Sequence, residues 1–409
     1  MRDQAFRQPL EDVRPSSEIP ATADVVIIGG GIVGVSAAFF LAARGVRTVL
    51  CEKGAIAGEQ SSRNWGWVRR MGRDPRELPL IMESIGLWSS MRQLIGEDVG
   101  YRASGILYLA ATDAELARRE SWLARAGDHV LDTRALGRNE LDALIPGASG
   151  RYVGALYTPS DGRAEPQKAA PAIARAAQRR GAAVLTRCAV RGIETTGGRV
   201  SAVVTERGSI TCATVVLAGG VWSSLFCRSL GIRLPQLAVR ASVMRTAPMG
   251  GGPEIAVATP DFAFRKRADG GYTIAGRSID YDIVPDSFRY FVDFLPVLKL
   301  EWRRLELRLG DALLDLAQLG RAWRMDGVSP FERRRVLDPD PVAKHLDGAL
   351  AALQSAFPAF RGATIEGRWA GLIDATPDTV PVISGTPLSG FLIATGFSGH
   401  GFGLGPGAG

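Results

Sequence analysis

The chain has 409 residues, of which 46% are hydrophobic and 22% are charged, so its composition excludes a disordered or collagen-like protein and indicates a globular one. This length predicts about two or three domains. The net charge of +7 suits an anionic cofactor, an acidic substrate, a nucleic acid or a membrane surface. The basic residues are scattered, however, and the longest run, at 333–335, is typical of a solvated face, so we expect no nucleic-acid partner.

The amino-terminal residues and the cysteines and histidines exclude further classes. Residues 1–22 contain three prolines among charged residues and no apolar core, so they predict a flexible leader rather than a secretory signal. We expect no transmembrane segment and a cytoplasmic location, with peripheral membrane association left open. The four cysteines form no C-x-x-C pair, and His129, His345 and His400 have no spacing for joint ligation. The sequence therefore predicts neither a redox-active disulfide nor a bound metal.

The first clear elements form a strand, a glycine turn, a helix and a second strand. Residues 23–28 are a β-branched run, residues 35–44 have a helical pattern that ends at Gly45, and residues 47–52 form the next strand. Between them, Gly29 allows a tight turn, Gly31 lets the backbone approach a pyrophosphate, and Gly34 lets the helix pack closely on the sheet. Glu52 ends the second strand, where a carboxylate accepts ribose hydroxyls and disfavours a 2′-phosphate. This context predicts a dinucleotide site that includes Gly29, Gly31, Ile32, Val33, Gly34, Glu52 and Lys53.

The next segment helps to choose between flavin and nicotinamide. No second helix-length pattern follows Glu52, whereas an NAD domain ordinarily continues with further strand and helix units. The loop at 61–64 offers hydroxyl, guanidinium and amide groups to phosphates and a ribityl chain. It favours a flavin site over a surface turn. The predicted contacts are Ser61, Ser62, Arg63, Asn64, Trp65 and Gly66.

Several motifs then occur in a characteristic order. They are the turn at 29–34 with Glu52, the loop at 61–64, DGRAEP at 161–166, VVLAGGVWS at 215–223, WAG at 369–371 with TPD at 376–378, and GFSGHGF at 396–402. Over residues 23–409 the chain resembles the D-amino-acid oxidase family of FAD enzymes, which includes glycine oxidase, sarcosine oxidase and small dehydrogenases of D-amino acids and secondary amines. The resemblance implies noncovalent FAD, because neither 64–66 nor 369–378 contains the cysteine or histidine that some relatives link to flavin.

The resemblance also implies an α/β (α+β) fold with two domains, similar to p-hydroxybenzoate hydroxylase. A Rossmann-type FAD-binding domain would comprise residues 23–95, 151–230 and 331–409. A discontinuous substrate domain with an antiparallel sheet would comprise residues 96–150 and 231–330. We expect hairpins at 190–205 and 262–275, with one face of the second covering the flavin, and outer helix packing at 287–319.

The carboxyl-terminal residues 396–409 contain seven glycines, which by themselves suggest a disordered tail. The resemblance implies instead a loop whose backbone N–H groups approach the isoalloxazine, followed by a helix directed at the flavin. That helix is expected to begin near residue 405, so the sequence suggests a truncated chain. The cofactor contacts implied by the resemblance are Val190, Ala218, Gly219, Trp222, Gly371, Gly396, Ser398, Gly399, His400, Gly401 and Phe402.

The implied reaction oxidises the C–N bond of a D-amino acid or an N-substituted amino acid to an imine by hydride transfer to flavin N5, followed by hydrolysis. We nominate no side-chain base, since a deprotonated substrate needs none. Many relatives place an arginine after Trp-x-Gly-Leu, where this chain has Ile373 and Asp374. Either another cation binds the substrate carboxylate, or Asp374 meets a positive charge on the substrate. The candidate cations are Arg69, Arg240 and Arg265.

Three further residues have open roles. Lys266 either assists reaction with oxygen above the flavin or is a solvated strand lysine. His400 either orients flavin or substrate or bonds within its own loop. Tyr272 is a further candidate for the substrate site.

Partners and alternatives follow from the same resemblance. The electron acceptor is O2, a quinone or a partner protein. One alternative is the catalytic FAD subunit of a heteromeric amine or opine dehydrogenase that passes electrons to its partner. Another, from a different class, is a flavin-bearing RNA-modification or binding module.

Overall fold

The computed structural model describes residues 9–127, 129, 132–146, 148–276, 279–301, 305–308 and 322–409. Among them, two large sheets carry most of the core. None of the described helices is both long and apolar enough to cross a membrane.

The first large sheet has six described strands, and the β-branched run near the amino terminus lies at its centre. Val25–Ile28 pairs in parallel with Thr48–Cys51 on one side and with Thr214–Leu217 on the other. Val26 and Ile27 are completely buried, which explains the apolar run of a strand covered on both faces. The strand order is Val382–Gly385, Phe391–Thr395, Thr214–Leu217, Val25–Ile28, Thr48–Cys51 and Ala183–Leu185.

The second large sheet has ten described strands and is mainly antiparallel. Its strands, in order, are Leu305–Arg308, Ile279–Asp282, Leu237–Thr246, Tyr272–Gly276, Phe262–Lys266, Ala256–Ala258, Ile106–Ala110, Gly154–Thr158 and Arg134–Gly137, and Ile365–Ala375 pairs with Leu237–Thr246. The two smaller sheets are Val190–Thr196, Arg199–Thr205 and Gly208–Thr211, and Trp67–Val68 with Gly162–Arg163.

Helices cover both large sheets. Ile32–Ala43 packs against Pro166–Arg179 and Gly401–Ala408, and Gly401–Ala408 also packs against Leu78–Ile95. Ala343–Ala356 lies on the strand Tyr272–Gly276 of the second sheet. The other helices are Gln60–Arg63, Asp113–Ala126, Arg138–Leu144, Ser223–Ser229, Pro285–Arg289, Phe291–Glu301 and Pro330–Arg333, with 3-10 turns at Pro75–Glu77, Ala148–Gly150, Gly220–Trp222 and Pro358–Phe360.

The predicted domain boundaries stay a prediction. Within the ranges assigned to the nucleotide domain, the strands Gly154–Thr158 and Ile365–Ala375 pair in the ten-stranded sheet. The expected outer helices appear as Pro285–Arg289 and Phe291–Glu301, after which the chain forms the strand Leu305–Arg308. Residues 302–304 and 309–319 of that prediction lie outside the described residues.

Both predicted hairpins form, and the second contributes no residue to the lining of the cofactor cleft described below. Val190–Thr196 pairs with Arg199–Thr205, and Phe262–Lys266 pairs with Tyr272–Gly276. The Phe264 ring lies 5.2 Å from the Phe360 ring between centroids, within an aromatic core. The expectation that one hairpin face covers the flavin stays a prediction.

The glycine-rich end of the chain is a packed helix rather than a disordered tail. The helix spans Gly401–Ala408 and begins four residues before the position expected near 405. Ser84 Oγ donates to Gly403 O at 2.6 Å, and Trp88 Nε1 donates to the same oxygen at 3.0 Å. A Cβ at Gly405 would lie 2.8 Å from Ile32 Cγ1, so the small residue permits this close packing.

Candidate active site

A deep cleft opens at the carboxyl ends of the central parallel strands, where the sequence predicts the dinucleotide site. It encloses about 1310 Å³ of space open to solvent. The predicted cofactor residues that line it are Gly29, Gly31, Ile32, Val33, Glu52, Lys53, Ser61, Arg63, Asn64, Val190, Ala218, Gly219, Trp222, Gly399, Gly401 and Phe402. The predicted residues that do not line it are Gly34, Ser62, Trp65, Gly66, Gly371, Gly396, Ser398 and His400.

The glycine turn is crowded by backbone on its inner side. Gly29 has φ of +112°, which residues with a side chain rarely adopt. A Cβ at Gly34 would collide with the carbonyl oxygen of Gly29, so the first helix starts directly against the turn. Gly31 takes the N-cap position and has no side chain with which to cap this helix. The turn therefore presents a helix amino terminus with its positive dipole end to the cleft.

Ser61 and Glu52 approach this turn from neighbouring elements. The backbone N–H of Ile32 donates to Ser61 Oγ at 2.9 Å, which leaves the hydroxyl proton available for a phosphate oxygen. The N–H of Gly30 donates to one Glu52 oxygen at 2.7 Å, and that of Gly54 to the other at 2.6 Å. Burial raises the pKa of Glu52, an effect opposed mainly by Lys53. Each carboxylate oxygen keeps a lone pair for a ribose hydroxyl.

Glu59 is a site residue that the sequence analysis missed. Its carboxylate accepts hydrogen bonds from Trp222 Nε1 at 3.1 Å, Lys53 Nζ at 3.0 Å and the backbone N–H of Leu337 at 2.8 Å. The Lys53 ammonium also lies 4.4 Å from the centroid of the Trp222 ring. Glu59 thus joins its own segment to two distant ones, at Trp222 and Leu337, in the lining of the cleft. Its position beside the predicted flavin loop was the available signal.

The flavin loop contributes unequally to the cleft. Arg63 Nη1 donates to Leu337 O at 2.9 Å and to Ala370 O at 3.1 Å, so it bridges the loop to two other segments. Ser62 is buried, and its hydroxyl donates to Glu59 O at 3.2 Å. Asn64 Nδ2 donates to Ser61 O at 2.8 Å. Ser62 therefore holds the loop rather than contacting the cleft, contrary to its predicted role.

Asp374 organises the carboxyl-terminal loop. Its Oδ2 accepts the backbone N–H of Gly396 at 2.7 Å and that of Phe397 at 3.2 Å, and Thr395 Oγ1 donates to it at 3.3 Å. Burial raises the pKa of Asp374, and the backbone hydrogen bonds oppose this shift. Asp374 also lines the cleft, so the alternative in which it meets a positive charge on the substrate stays a prediction.

His400 also acts within the protein. Its Nδ1 lies 2.9 Å from Glu77 Oε1, and its backbone N–H donates to Phe397 O at 2.7 Å. Burial, followed by the charges of Arg73 and Arg69, lowers the pKa of His400 well below its usual value, so the ring is neutral at pH 7. Its side chain does not line the cleft and contacts Glu77, far away along the chain, so only its backbone N–H bonds within its own loop.

Two of the three candidate carboxylate-binding arginines have internal partners. Arg265 is nearly completely buried, and its guanidinium donates to both Glu165 oxygens, at 2.8 and 3.1 Å, and to the carbonyl of Trp65. Arg240 Nη2 donates to Asp282 Oδ2 at 2.6 Å. The suggestion that either arginine binds a substrate carboxylate is therefore corrected, because each guanidinium already binds a carboxylate of the protein. The sequence alone did not reveal these partners, since they lie far away along the chain.

Lys266 and Tyr272 lie away from the cleft as well. Lys266 forms an ion pair with Glu254 and lines a separate cavity, so it does not lie above a flavin in the cleft. The Tyr272 hydroxyl donates to Pro253 O at 3.1 Å within the aromatic core, and burial raises its pKa. Arg69 does not line the cleft either, but it forms no ion pair with a described residue and stays a candidate.

Among the described residues, one group of side chains has the geometry of possible metal ligands, although the spacing of the histidines did not suggest it. Asp280, Glu306 and His345 offer one ligand atom each within 4.8 Å of one another. The pair distances are 3.1 Å from His345 Nδ1 to Asp280 Oδ2 and 3.0 Å from His345 Nε2 to Glu306 Oε1. A histidine between two carboxylates accounts for these contacts without a metal.

The comparisons with known proteins identify the family. The sequence profile of the family described as "FAD dependent oxidoreductase" matches residues 24–409. This chain belongs to that family. The flavoprotein is similar to the L-amino acid deaminase of Proteus myxofaciens, solved in complex with anthranilate, with 35% identity and a TM-score of 0.93 over 99% of this chain and 92% of that one.

Two curated relatives are more distant in sequence. The mitochondrial sarcosine dehydrogenase of Mus musculus is 27% identical over 97% of this chain, which spans only 40% of that relative's length. The sarcosine oxidase subunit beta of Rhodobacter capsulatus is 24% identical over 94% of this chain and 83% of that protein. The predicted family, fold class and cofactor are confirmed, so the flavoprotein is an FAD-dependent oxidoreductase.

The residues of the cleft fit FAD. A Cβ at Gly31 would lie 3.0 Å from Ser61 Oγ, so the missing side chain keeps this side of the turn open for the diphosphate. Glu52 and the loop at Gly399 and Gly401 line the same cleft. Noncovalent attachment stays a prediction.

Proposed function

We propose that this chain oxidises the C–N bond of a free α-amino acid to the imine, which water then hydrolyses to a 2-oxo acid and ammonia. The observation that carries the proposal is the whole-chain similarity to an L-amino acid deaminase, with the same fold at TM-score 0.93 and 35% identity. Bound FAD supplies the hydride acceptor for this reaction. The protein supplies binding, orientation and exclusion of water.

The configuration of the substrate is the finer part of the proposal. The sequence analysis predicted a D-amino acid or an N-substituted amino acid. The similarity to L-amino acid deaminase supports an L-amino acid instead, while the sarcosine enzymes support an N-methyl substrate. We favour the L-amino acid because that similarity combines the higher identity with coverage of nearly all of both chains.

Arg69 is our candidate for the substrate carboxylate. Its guanidinium contacts the Met71 carbonyl and lies 5.8 Å from the centroid of the Tyr108 ring, and it forms no ion pair with a described residue. It follows the flavin loop directly, after the strand Trp67–Val68. No group needs to act as a base if the substrate amine arrives deprotonated.

The test is anaerobic mixing of the FAD-loaded chain with matched L and D enantiomers and with N-methyl amino acids, while flavin absorbance is followed. Loss of absorbance with L-amino acids at least about tenfold faster than with their D enantiomers supports the proposal. Faster reduction by D enantiomers or by sarcosine would reject the L-amino acid assignment. No reduction by any compound would reject amino-acid oxidation itself.

A second candidate is the catalytic subunit of a heteromeric amine dehydrogenase or oxidase. The similarity to a sarcosine oxidase subunit beta over most of both chains favours it. It predicts weak peroxide formation in air and fast reduction of an artificial dye or a quinone after substrate is added. Rapid stoichiometric peroxide production by the isolated chain would argue against it.

Steep salt-dependent retention of RNA would instead support the RNA-binding alternative.

A further inference from the structure

A second cavity lies apart from the FAD cleft and shares no lining residue with it. It has a volume of about 700 Å³, and its lining is mainly charged. Its charged lining residues are Asp98, Arg102, Arg163, Lys168, Glu254, Lys266 and Arg267. Five of these seven side chains are basic, so the cavity carries an excess of positive charge.

Three of the five cations have carboxylate partners. Lys266 pairs with Glu254, and Arg102 Nη2 lies 3.5 Å from Asp98 Oδ2. Arg267 Nη2 lies 2.7 Å from an oxygen of Asp269, next to the cavity. Within each pair the two charges neutralise each other. The charges of the other two cations, Arg163 and Lys168, remain to be explained.

Arg163 is the first of these two, and it is buried without adequate compensation. Its side chain is 9% exposed, and its guanidinium donates no hydrogen bond to any described residue. The nearest carboxylate oxygen belongs to Glu165, 3.6 Å away. That carboxylate is already committed, because it accepts two hydrogen bonds from Arg265 and one from the backbone N–H of Ala268.

Two buried guanidinium groups therefore share one buried carboxylate. Burial lowers the pKa of Arg163, and the neighbouring charge of Arg265 acts in the same direction. A buried charge without a partner is costly, and a guanidinium cannot relieve that cost by losing its proton near pH 7. Arg163 thus calls for a further negative group.

Lys168 supplies the second uncompensated cation. It is exposed in the first turn of the helix Pro166–Arg179, lines the same cavity, and forms no ion pair with a described residue. Arginine and lysine together form the usual donor set for carboxylate and phosphate groups. Their combined charge suits a ligand with one or two negative charges.

We propose that this cavity binds a small oxyanion of the carboxylate or phosphate class, with Arg163 as the buried contact and Lys168 as the contact at the rim. The site shares no lining residue with the flavin cleft. The anion compensates the charge that Glu165 leaves unmatched.

The test uses the FAD-loaded full chain in a weakly coordinating buffer at constant ionic strength. Inorganic phosphate, malonate and chloride are added separately, and binding is measured by calorimetry and by the midpoint of thermal unfolding. We expect saturable binding of phosphate or malonate with one site per chain and a rise in Tm of at least about 2 °C. Tighter binding of phosphate indicates a phosphate site, and tighter binding of malonate indicates a carboxylate site.

Variants separate this site from general salt effects. Arg163→Gln is expected to lower the affinity more than tenfold and to abolish the rise in Tm. It should be at least as stable as the unmodified chain when no oxyanion is present, because the uncompensated charge is gone. Lys168→Gln is expected to lower the affinity about threefold. Lys344→Gln, an exposed lysine on the helix Ala343–Ala356, is the matched control and should change nothing.

Two outcomes overturn the proposal. One is an equal response to chloride and to both oxyanions, which indicates ionic strength alone. The other is an unchanged affinity in Lys168→Gln together with an unchanged Tm response in Arg163→Gln. If Arg163→Gln fails to fold, the comparison of Lys168→Gln with Lys344→Gln decides, since both residues are exposed.

Discussion

Replacing Gly34 with alanine adds one methyl group at the most crowded point of the nucleotide-binding turn. The new Cβ would lie 2.0 Å from the Gly29 carbonyl oxygen, whereas real Cβ contacts essentially never fall below 3.0 Å. The opposing atom is backbone, so the helix must move by about 1 Å relative to the turn. That movement displaces the N–H groups that face the diphosphate.

Loss of two charge-assisted hydrogen bonds, at about 1.5–3 kcal/mol each, corresponds to about 3–6 kcal/mol of binding free energy. We therefore expect Gly34→Ala to weaken FAD binding by at least about 100-fold. The measurement is titration of the FAD-free chain with FAD, followed by quenching of flavin fluorescence. The Tm of the FAD-free chain is recorded in parallel.

Gly86→Ala is the matched control. Gly86 lies in the exposed face of the helix Leu78–Ile95, and a Cβ there meets nothing within 4 Å. Alanine should raise stability by up to about 1 kcal/mol at this position and leave FAD affinity unchanged. An affinity of Gly34→Ala within threefold of the unmodified chain would refute the steric reasoning, because the same substitution would then be tolerated at both glycines.

Three further substitutions test other contacts. Burial raises the pKa of Asp161 to about 6, so ionisation of this carboxyl opposes folding at pH 7. Lowering the pH from 7 to 5 should therefore raise the unfolding free energy of the unmodified chain by about 1 kcal/mol relative to that of Asp161→Asn, as measured by chemical denaturation. Arg265→Met removes two charge-assisted hydrogen bonds from the buried Glu165 and leaves Arg163 as its remaining cation, so it should cost about 1.5–3 kcal/mol of stability, with the substrate KM unchanged in the folded fraction. Asp374→Ala leaves the N–H of Gly396 without an acceptor and should weaken FAD binding in the same titration far more than Asp374→Asn does.

Each of these expectations has a result that contradicts it. A pH-independent stability difference for Asp161→Asn would mean that the native carboxyl does not titrate near 6. A large rise in KM for Arg265→Met at unchanged stability would restore that arginine as the carboxylate-binding group. Equal FAD affinity of the two Asp374 variants would show that the loop does not depend on this acceptor.

The nucleotide-binding turn could be predicted because its constraints are local. The positive φ of Gly29 and the contact between Gly34 and Gly29 arise within six residues, so the glycine spacing records them directly. Glu52 follows at the end of the next strand, within the same strand–turn–helix–strand unit, whose connections the sequence pattern defines. Local geometry therefore carried the cofactor prediction.

The substrate side could not be predicted in the same way. Arg265 was a reasonable carboxylate-binding candidate until its partner Glu165, 100 positions earlier, was located beside it. Asp374 likewise meets Gly396, 22 positions later, only because two strands end side by side. Such pairings depend on strand order and register between distant segments, which composition and periodicity do not record.

The glycine helix Gly401–Ala408 has a consequence for biosynthesis. Roughly 360 residues separate it from the helix Ile32–Ala43 that it packs against, so at about 5–20 residues per second a ribosome takes roughly 18–71 s to make the intervening chain. During this time the residues of the first helix that pack against the glycine helix, including Ile32, lack that packing partner. The cleft residues Gly399 and Gly401 are therefore made only after this interval, in which chaperones can act.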